Sequence, residues 1–550
     1  MSDSDPATVA AGGVTVTSSG ATLLAARDVV LDEATTDGLP AAITGKDATL
    51  WGPEATAEAS VRLGWLDCTR ISRPLVPEIE RLRSELRDDG VDRIVLAGMG
   101  GSSLAPEVIT GTYDVALVVL DTTDPQQVSS ALVELDRTAV VVSSKSGGTI
   151  ETDSHRRVFE RAFREAGIDP VKRIVVVTDP GSPLEQAAGK AGYRVFLADP
   201  NVGGRYSALT AFGLVPSGLA GVPIAELLDQ AAAVESSLGD IGDNPALALG
   251  AALGGFGNSG HDKVVLADAG SESSAGRIRG FADWAEQLIA ESTGKNGRGL
   301  LPVAVSGVDA PGFVETSDTH LVTLGGTPPA TGTSVSGPLG AQFLVWEFAT
   351  AVAGRALQID PFNQPNVQES KDNTKAVLDK AGDGPLPEGD PVLVDGAIEV
   401  HGDRALLGAA DSIAAVIDTL LAAVGDRGYL AVMAYLDRLT DTAASDLRAT
   451  LARRIPHPVT FGWGPRFLHS TGQFHKGGPQ VGVFLQITGA HATDLEVPGQ
   501  PFTFGRLQLA QALGDLQALE SRDRPVVRLH LTDRAGGLRQ LLAAAQGGTA

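Results

Sequence analysis

Ala139-Val-Val-Val-Ser-Ser-Lys-Ser-Gly-Gly-Thr-Ile-Glu-Thr152 joins an uninterrupted apolar run to a polar, glycine-bearing turn. The run 139–142 predicts a buried parallel strand, and the polar segment its turn into a helix that begins near Thr149. Ser144, Ser146 and Thr149 supply hydroxyls. Gly147 and Gly148 let backbone N–H groups approach a ligand closely, while Lys145 and the helix N-terminus supply positive charge. The combination suits a phosphate dianion, although a Ser/Thr-rich turn after a strand is also an ordinary helix cap. The pattern G-x-x-x-x-G-K-[ST] of a nucleotide triphosphate site is missing, which favours a small phosphorylated metabolite.

Outward from that segment, apolar runs alternate with helical patterns, as in a doubly wound α/β fold. Strand signals lie at 93–97, 115–120, 139–142, 173–178 and 193–197, with helical patterns between most of them. A second α/β region opens at 262–267 and passes through 320–324 to a helix around 342–357. The expected organisation is a disordered N-terminus (1–20), a first domain (21–206), a helical connection (207–255) and a second domain (256–375). A Gly/Pro/Asp-rich linker (376–395) and a C-terminal α/β region (396–550) complete the chain.

The 550 residues exceed what one core supports. Hydrophobic content of 43% and a mean hydropathy of +0.07 predict a folded, soluble chain. The 43 basic and 67 acidic residues leave a net charge of −24, which disfavours nucleic acid and anionic membranes as partners. The same charge repels a phosphate at long range, so a phosphate site must be locally basic. The single cysteine, Cys68, excludes an internal disulfide and a cysteine-based metal cluster. With no apolar run long enough to span a bilayer and no signal peptide, a cytoplasmic location is expected.

Four more segments carry chemistry. Gly98-Met-Gly-Gly-Ser-Ser-Leu104 follows a strand. Its Gly100 and Gly101 allow a tight turn, and Ser102 can cap a helix or bind an oxygen. Gly203-Gly-Arg-Tyr-Ser207 sets Arg205 beside two glycines, as a structural brace or as a fixed donor fork for an oxyanion. Gln287-Leu-Ile-Ala-Glu-Ser-Thr-Gly-Lys295 puts Gln287 and Glu291 on one helix face. A carboxylate at a helix C-terminus faces the negative dipole end, which hints at a functional base; an ordinary surface glutamate is the plainer reading. Asp360-Pro-Phe-Asn-Gln-Pro-Asn-Val-Gln-Glu-Ser-Lys371 leads through an entry loop to a helix bearing Lys371.

Taken in order, these five segments resemble glucose-6-phosphate isomerases, built from two sugar-isomerase (SIS, flavodoxin-like) domains, and the resemblance covers residues 91–371. It implies that Ser102, Ser144, Lys145, Ser146 and Thr149 hold the sugar phosphate, with Gly101 permitting close approach and Glu151 lining the site. It further implies Glu291 as the base with Gln287 beside it, Arg205 stabilising an enediolate, and Gln364 and Lys371 as the family's Q-x-x-V-x-x-x-K ending, with the lysine near the sugar ring oxygen. The resemblance calls for a homodimer and for neither metal nor redox cofactor.

Two departures stand out. No histidine occupies 306–312, where a bacterial ring-opening acid–base is expected. His320 fronts an apolar strand and reads as structural. The remaining candidates, His469 and His475, sit far downstream in Arg466-Phe-Leu-His-Ser-Thr-Gly-Gln-Phe-His-Lys-Gly-Gly-Pro479. The α/β sequence after 396 has no counterpart in the resemblance, and it cannot hold a transaldolase-like barrel. Beside isomerisation of glucose 6-phosphate and fructose 6-phosphate stand a broader isomerase that also takes mannose 6-phosphate, and a non-catalytic sugar-phosphate sensor.

Overall fold

The computed structural model describes residues 5–269, 278–382 and 384–547. An N-terminal hairpin comprises β1 (Ala7–Ala11) and β2 (Val14–Ser19). A first group of strands follows: β3 (Arg93–Gly98), β4 (Val118–Leu120), β5 (Thr138–Ser143), β6 (Ile174–Thr178) and β7 (Arg194–Leu197). A second contains β8 (Lys263–Asp268), β9 (Leu301–Val305), β10 (Thr319–Leu324) and β11 (Gly332–Ser336). A third contains the hairpin β12 (Leu393–Asp395) and β13 (Ile398–Gly402), then β14 (Tyr429–Tyr435), β15 (Val459–Trp463), β16 (Gly482–Gly489) and β17 (Val526–Leu531).

The α/β reading, with two sheets followed by a third in the C-terminal region, is borne out. The first sheet is parallel throughout, in the order β4-β3-β5-β6-β7. Both faces of β5 and β6 are buried, which is why they read as unbroken apolar runs rather than alternating ones. The second sheet runs β1-β2-β11-β10-β8-β9 and the third β12-β13-β17-β16-β14-β15. The strand order reverses between β3 and β5, the place where open α/β sheets form a crevice beyond the carboxyl ends of their strands.

The expectation of disorder over 1–20 is corrected. Residues 1–4 lie outside the described residues, but β1 and β2 pair with each other, and β2 pairs antiparallel with β11. The reason lies in Val14-Thr-Val-Thr17: Val14 and Val16 are fully buried, a period-two pattern masked by small polar residues. The helix Ala21–Asp37 also belongs with the second sheet. It crosses the helix Pro245–Asn258 so closely that a Cβ on Gly255 would lie 2.3 Å from the Ala26 carbonyl. The linker is shorter than 376–395, because the helix Pro365–Ala381 covers its first residues and β12 its last. Among the described residues no helix is long and apolar enough to cross a membrane.

The second and third sheets, each with its helices one unit of the fold as the first sheet is, share a core in which Val265, Leu301 and Val303 join Ala431, Met433, Phe474 and Phe484. Units 1 and 3 meet through ion pairs. Arg466 lies 2.5 Å from Glu107 and 2.8 Å from Asp121, Arg438 is 2.7 Å from Glu107, and Arg534 is 2.7 Å from Asp124.

His155 and His320 are completely buried. Nε2 of His155 lies 2.8 Å from the Thr122 carbonyl, and Nε2 of His320 lies 2.9 Å from Thr333 Oγ1. Burial lowers their pKa values to about 4 and about 3. An unfolded chain takes up these protons below pH ~6.5 and the folded chain refuses them, so stability is lost as pH falls. Urea unfolding at pH 7.5 and pH 5 is expected to differ by about 2 kcal/mol per histidine, and His155→Gln to remove its share.

Candidate active site

The turn after β5 folds as its sequence suggests. Thr149 precedes the helix Ile150–Glu165, and Gly147 adopts φ +69° with the Leu184 backbone pressed where a Cβ would lie. Ser144 Oγ lies 3.0 Å from Thr149 Oγ1 and accepts from Gly147 N at 3.2 Å, so it ties the turn together from inside. Lys145 donates to Asp179 at 2.5 Å. Burial lowers the lysine and raises the aspartate, and their attraction offsets only part of that shift.

Ser146, Gly148, Thr149 and Glu151 line a cleft of about 620 Å³ with Lys371, His469 and Gln511. The first unit supplies the turn and the third His469 and Gln511, while Lys371 comes from the helix Pro365–Ala381, which packs through Val377 on Ala510 and Leu513 of the third. Ser102, Ser144 and Lys145 do not line this cleft. Glu151 Oε1 lies 3.1 Å from His469 Nε2 and accepts from Gln511 Nε2 at 2.7 Å, while Gln511 Oε1 accepts from Thr123 at 2.6 Å. Burial pushes the Glu151 pKa up. The hydrogen bond and charge of His469, with Lys371 further out, outweigh it and hold the carboxyl below the ordinary glutamate range.

A second cluster sits deeper. Arg205 is 2% exposed, and its fork reaches three segments. Nε donates to Ser292 Oγ at 2.7 Å, and Nη2 to the carbonyls of Pro361 (2.6 Å) and Asn363 (3.0 Å). Nη1 donates to Gln364 Oε1 at 2.9 Å and lies 3.2 Å from Glu291 Oε1. The cation answers the dipole objection to a carboxylate at that helix end. Gln287 Nε2 donates to Glu291 Oε2 at 3.1 Å and to the His469 carbonyl at 2.7 Å, linking this cluster to the cleft. Lys295, passed over as a site residue, is buried beside it and donates to the Asp360 carbonyl. Burial lowers its pKa strongly, Arg205 adds to that, and Asp360 and Glu291 restore part.

The loop 466–479 separates its two histidines. His469 enters the cleft. His475 is corrected as a site residue: it is 3% exposed, its Nδ1 lies 3.0 Å from Tyr429 Oη, and it packs against Phe484. Burial, then Lys476 and Arg524, drive its pKa well down, so the ring is neutral. Gln473 is a clamp that sequence did not resolve. Its Nε2 donates to the Gly294 carbonyl at 2.9 Å and to Asn366 Oδ1 at 2.8 Å, and its Oε1 accepts from Asn366 N at 2.9 Å. It bolts the end of the Glu291 helix to the start of the Lys371 helix. Lys476 pairs with Asp515 at 2.7 Å, both fully buried.

Gly101 has a different partner from the one expected. A Cβ there would lie 2.1 Å from the Gly204 carbonyl, so the glycine admits the backbone that carries Arg205. Gly101→Ala is expected to displace that turn and cost about 2–3 kcal/mol or more. A fall in the thermal midpoint, with sugar-phosphate binding weakened in step, would bear this out.

Residues 85–296 match the family model described as Phosphoglucose isomerase; Gln364, Lys371 and His469 lie beyond the match. A probable glucose-6-phosphate isomerase of Haloarcula marismortui is 34% identical over 231 residues, covering 39% of this chain and 50% of that protein. A glucose-6-phosphate isomerase of Symbiobacterium thermophilum is 28% identical over 409 residues, covering 60% of this chain and 89% of that protein. The chain spans about half the length of the first curated relatives it matches. In fold it resembles a crystal structure of a glucose-6-phosphate isomerase from Chlamydia trachomatis, at TM-score 0.52 and 18% identity, over 69% of this chain and 91% of that one.

Proposed function

We propose, on the premise that residues 85–296 belong to the phosphoglucose isomerase family, that this chain interconverts glucose 6-phosphate and fructose 6-phosphate through a cis-enediolate. Its setting is glycolysis and gluconeogenesis in the cytoplasm. The observation that carries the reading is a carboxylate and a guanidinium fixed side by side, Glu291 Oε1 and Arg205 Nη1 at 3.2 Å. Aldose–ketose exchange moves a proton between neighbouring carbons beside a carbonyl, so one carboxylate can take it and return it. Negative charge grows on the substrate oxygens, and a preorganised cation lowers that barrier.

Each group has a duty set by its surroundings. Ser146, Thr149 and the N–H groups around Gly148 receive the phosphate, with the helix N-terminus behind them. Nε and Nη2 of Arg205 are committed to Ser292 and two carbonyls, so Nη1, which donates to Gln364 and faces Glu291, is the arm that turns to the enediolate. His469, oriented by Glu151 and facing the cleft with Lys371, opens the sugar ring.

A sensor would need the phosphate turn but neither the Glu291–Arg205 pair nor the Glu151–His469 pair. A mannose-accepting isomerase would use the same groups and differ by turnover of the C2 epimer.

Conversion of fructose 6-phosphate to glucose 6-phosphate tests the reading. Glu291→Gln and His469→Ala are each expected to lower kcat by ~10²–10⁴-fold. His475→Ala should instead lower the thermal midpoint and leave kcat within a fewfold. Sugar phosphate bound without turnover by the wild-type chain would leave the sensor.

A further inference from the structure

The third unit repeats the second. Read from the second strand, β9-β8-β10-β11 and β15-β14-β16-β17 are both parallel in the order second, first, third, fourth. Each then carries an antiparallel hairpin on the fourth strand, β2-β1 in one case and β13-β12 in the other. The two leading strands, β8 and β14, contribute to one shared apolar core. Two units of one topology, joined through a common core, are what a pair of like subunits presents.

The turn that follows β16 in the third unit differs from the Ser/Gly turn that follows β5 in the first. At the helix Phe504–Glu520, the position filled in the first unit by hydroxyls and glycines is taken by a carboxylate. Asp494 accepts from Gly505 N at 2.8 Å and from Thr503 Oγ1 at 2.5 Å. That fixed negative charge caps the helix and repels an anion. What the unit supplies instead points at the other cleft, His469 to Glu151 and Gln511 to the same carboxylate, while Gln473 ties the end of the helix Phe281–Thr293 to the start of the helix Pro365–Ala381.

We infer that the third unit is a built-in second subunit, completing the cleft within its own chain, so that one chain holds one whole site and turnover needs no partner. The inference rests on the isomerase reading and on the part His469 plays in it. It makes the expected homodimer unnecessary to the chemistry.

Mixing decides it. Chains carrying Glu291→Gln are co-expressed with chains carrying His469→Ala, with His469→Gln as the substitute if the alanine variant does not fold. Sites completed within each chain leave the mixture at the sum of the two residual activities. Sites completed between chains restore up to roughly one quarter of wild-type turnover, because half of randomly paired dimers are mixed and each has one intact site. That recovery would overturn the inference, as would a wild-type specific activity that collapses on dilution. A wild type without turnover would sink the isomerase reading alone. Binding of fructose 6-phosphate by the dilute single chain, abolished by His469→Ala, would then still support completion in cis, and binding only by a dimer would overturn it.

Discussion

Arg205 is the constraint around which the candidate site is arranged. Burying a guanidinium costs several kcal/mol unless its donors are met, and here every arm of the fork is met. The acceptors come from the helix Phe281–Thr293, the loop at 361–363 and the helix that Gln364 opens. Only an arginine has donors far enough apart, in one plane, to hold those segments together. The brace that the sequence offered as one alternative is therefore what the structure shows: two arms hold Ser292 and the 361–363 loop, and the third holds Gln364 and faces Glu291.

Legibility followed the range of the physics. Strand, turn and helix cap around Thr149 were readable because the chemistry lies within ten consecutive residues. The polar loop 466–479 was recognisable as dense, but its residues point into three environments. Four residues on from His469, Gln473 clamps two helices, and two further on His475 packs among aromatic rings. Spacing cannot separate a ring aimed into a cleft from one aimed into a core. Glu151 was expected only to line the site. Its bond to His469 spans more than three hundred positions, and no local pattern carries that. The N-terminal hairpin failed for another reason, since threonine and serine on its half-exposed face resemble disorder unless the buried valines are counted at period two.

Charge tells a similar story at two scales. The chain as a whole is strongly acidic, yet Arg205 and Lys371 bring positive charge to the candidate site. Acidic side chains near it are mostly engaged: Glu151 by His469 and Gln511, Asp179 by Lys145, Asp121 and Glu107 by Arg466. A phosphate approaching at physiological ionic strength senses charges within a screening length of ~8 Å, so local pairing outweighs the distant excess.

The N-terminal hairpin has a consequence for how the molecule comes into being. Ser19 takes its partner from Gly332, roughly three hundred residues later in the chain. As the polypeptide leaves the ribosome, the strands of the first sheet emerge together and can close early, whereas β2 waits with an unpaired edge until β11 has been synthesised. Such an edge invites pairing with other chains. Val14-Thr-Val-Thr-Ser-Ser19 alternates small polar residues with its valines, which keeps the waiting ribbon poorly sticky while preserving the face it will bury. Vectorial synthesis thus favours the same unremarkable composition that hid the strand from a reader of the sequence.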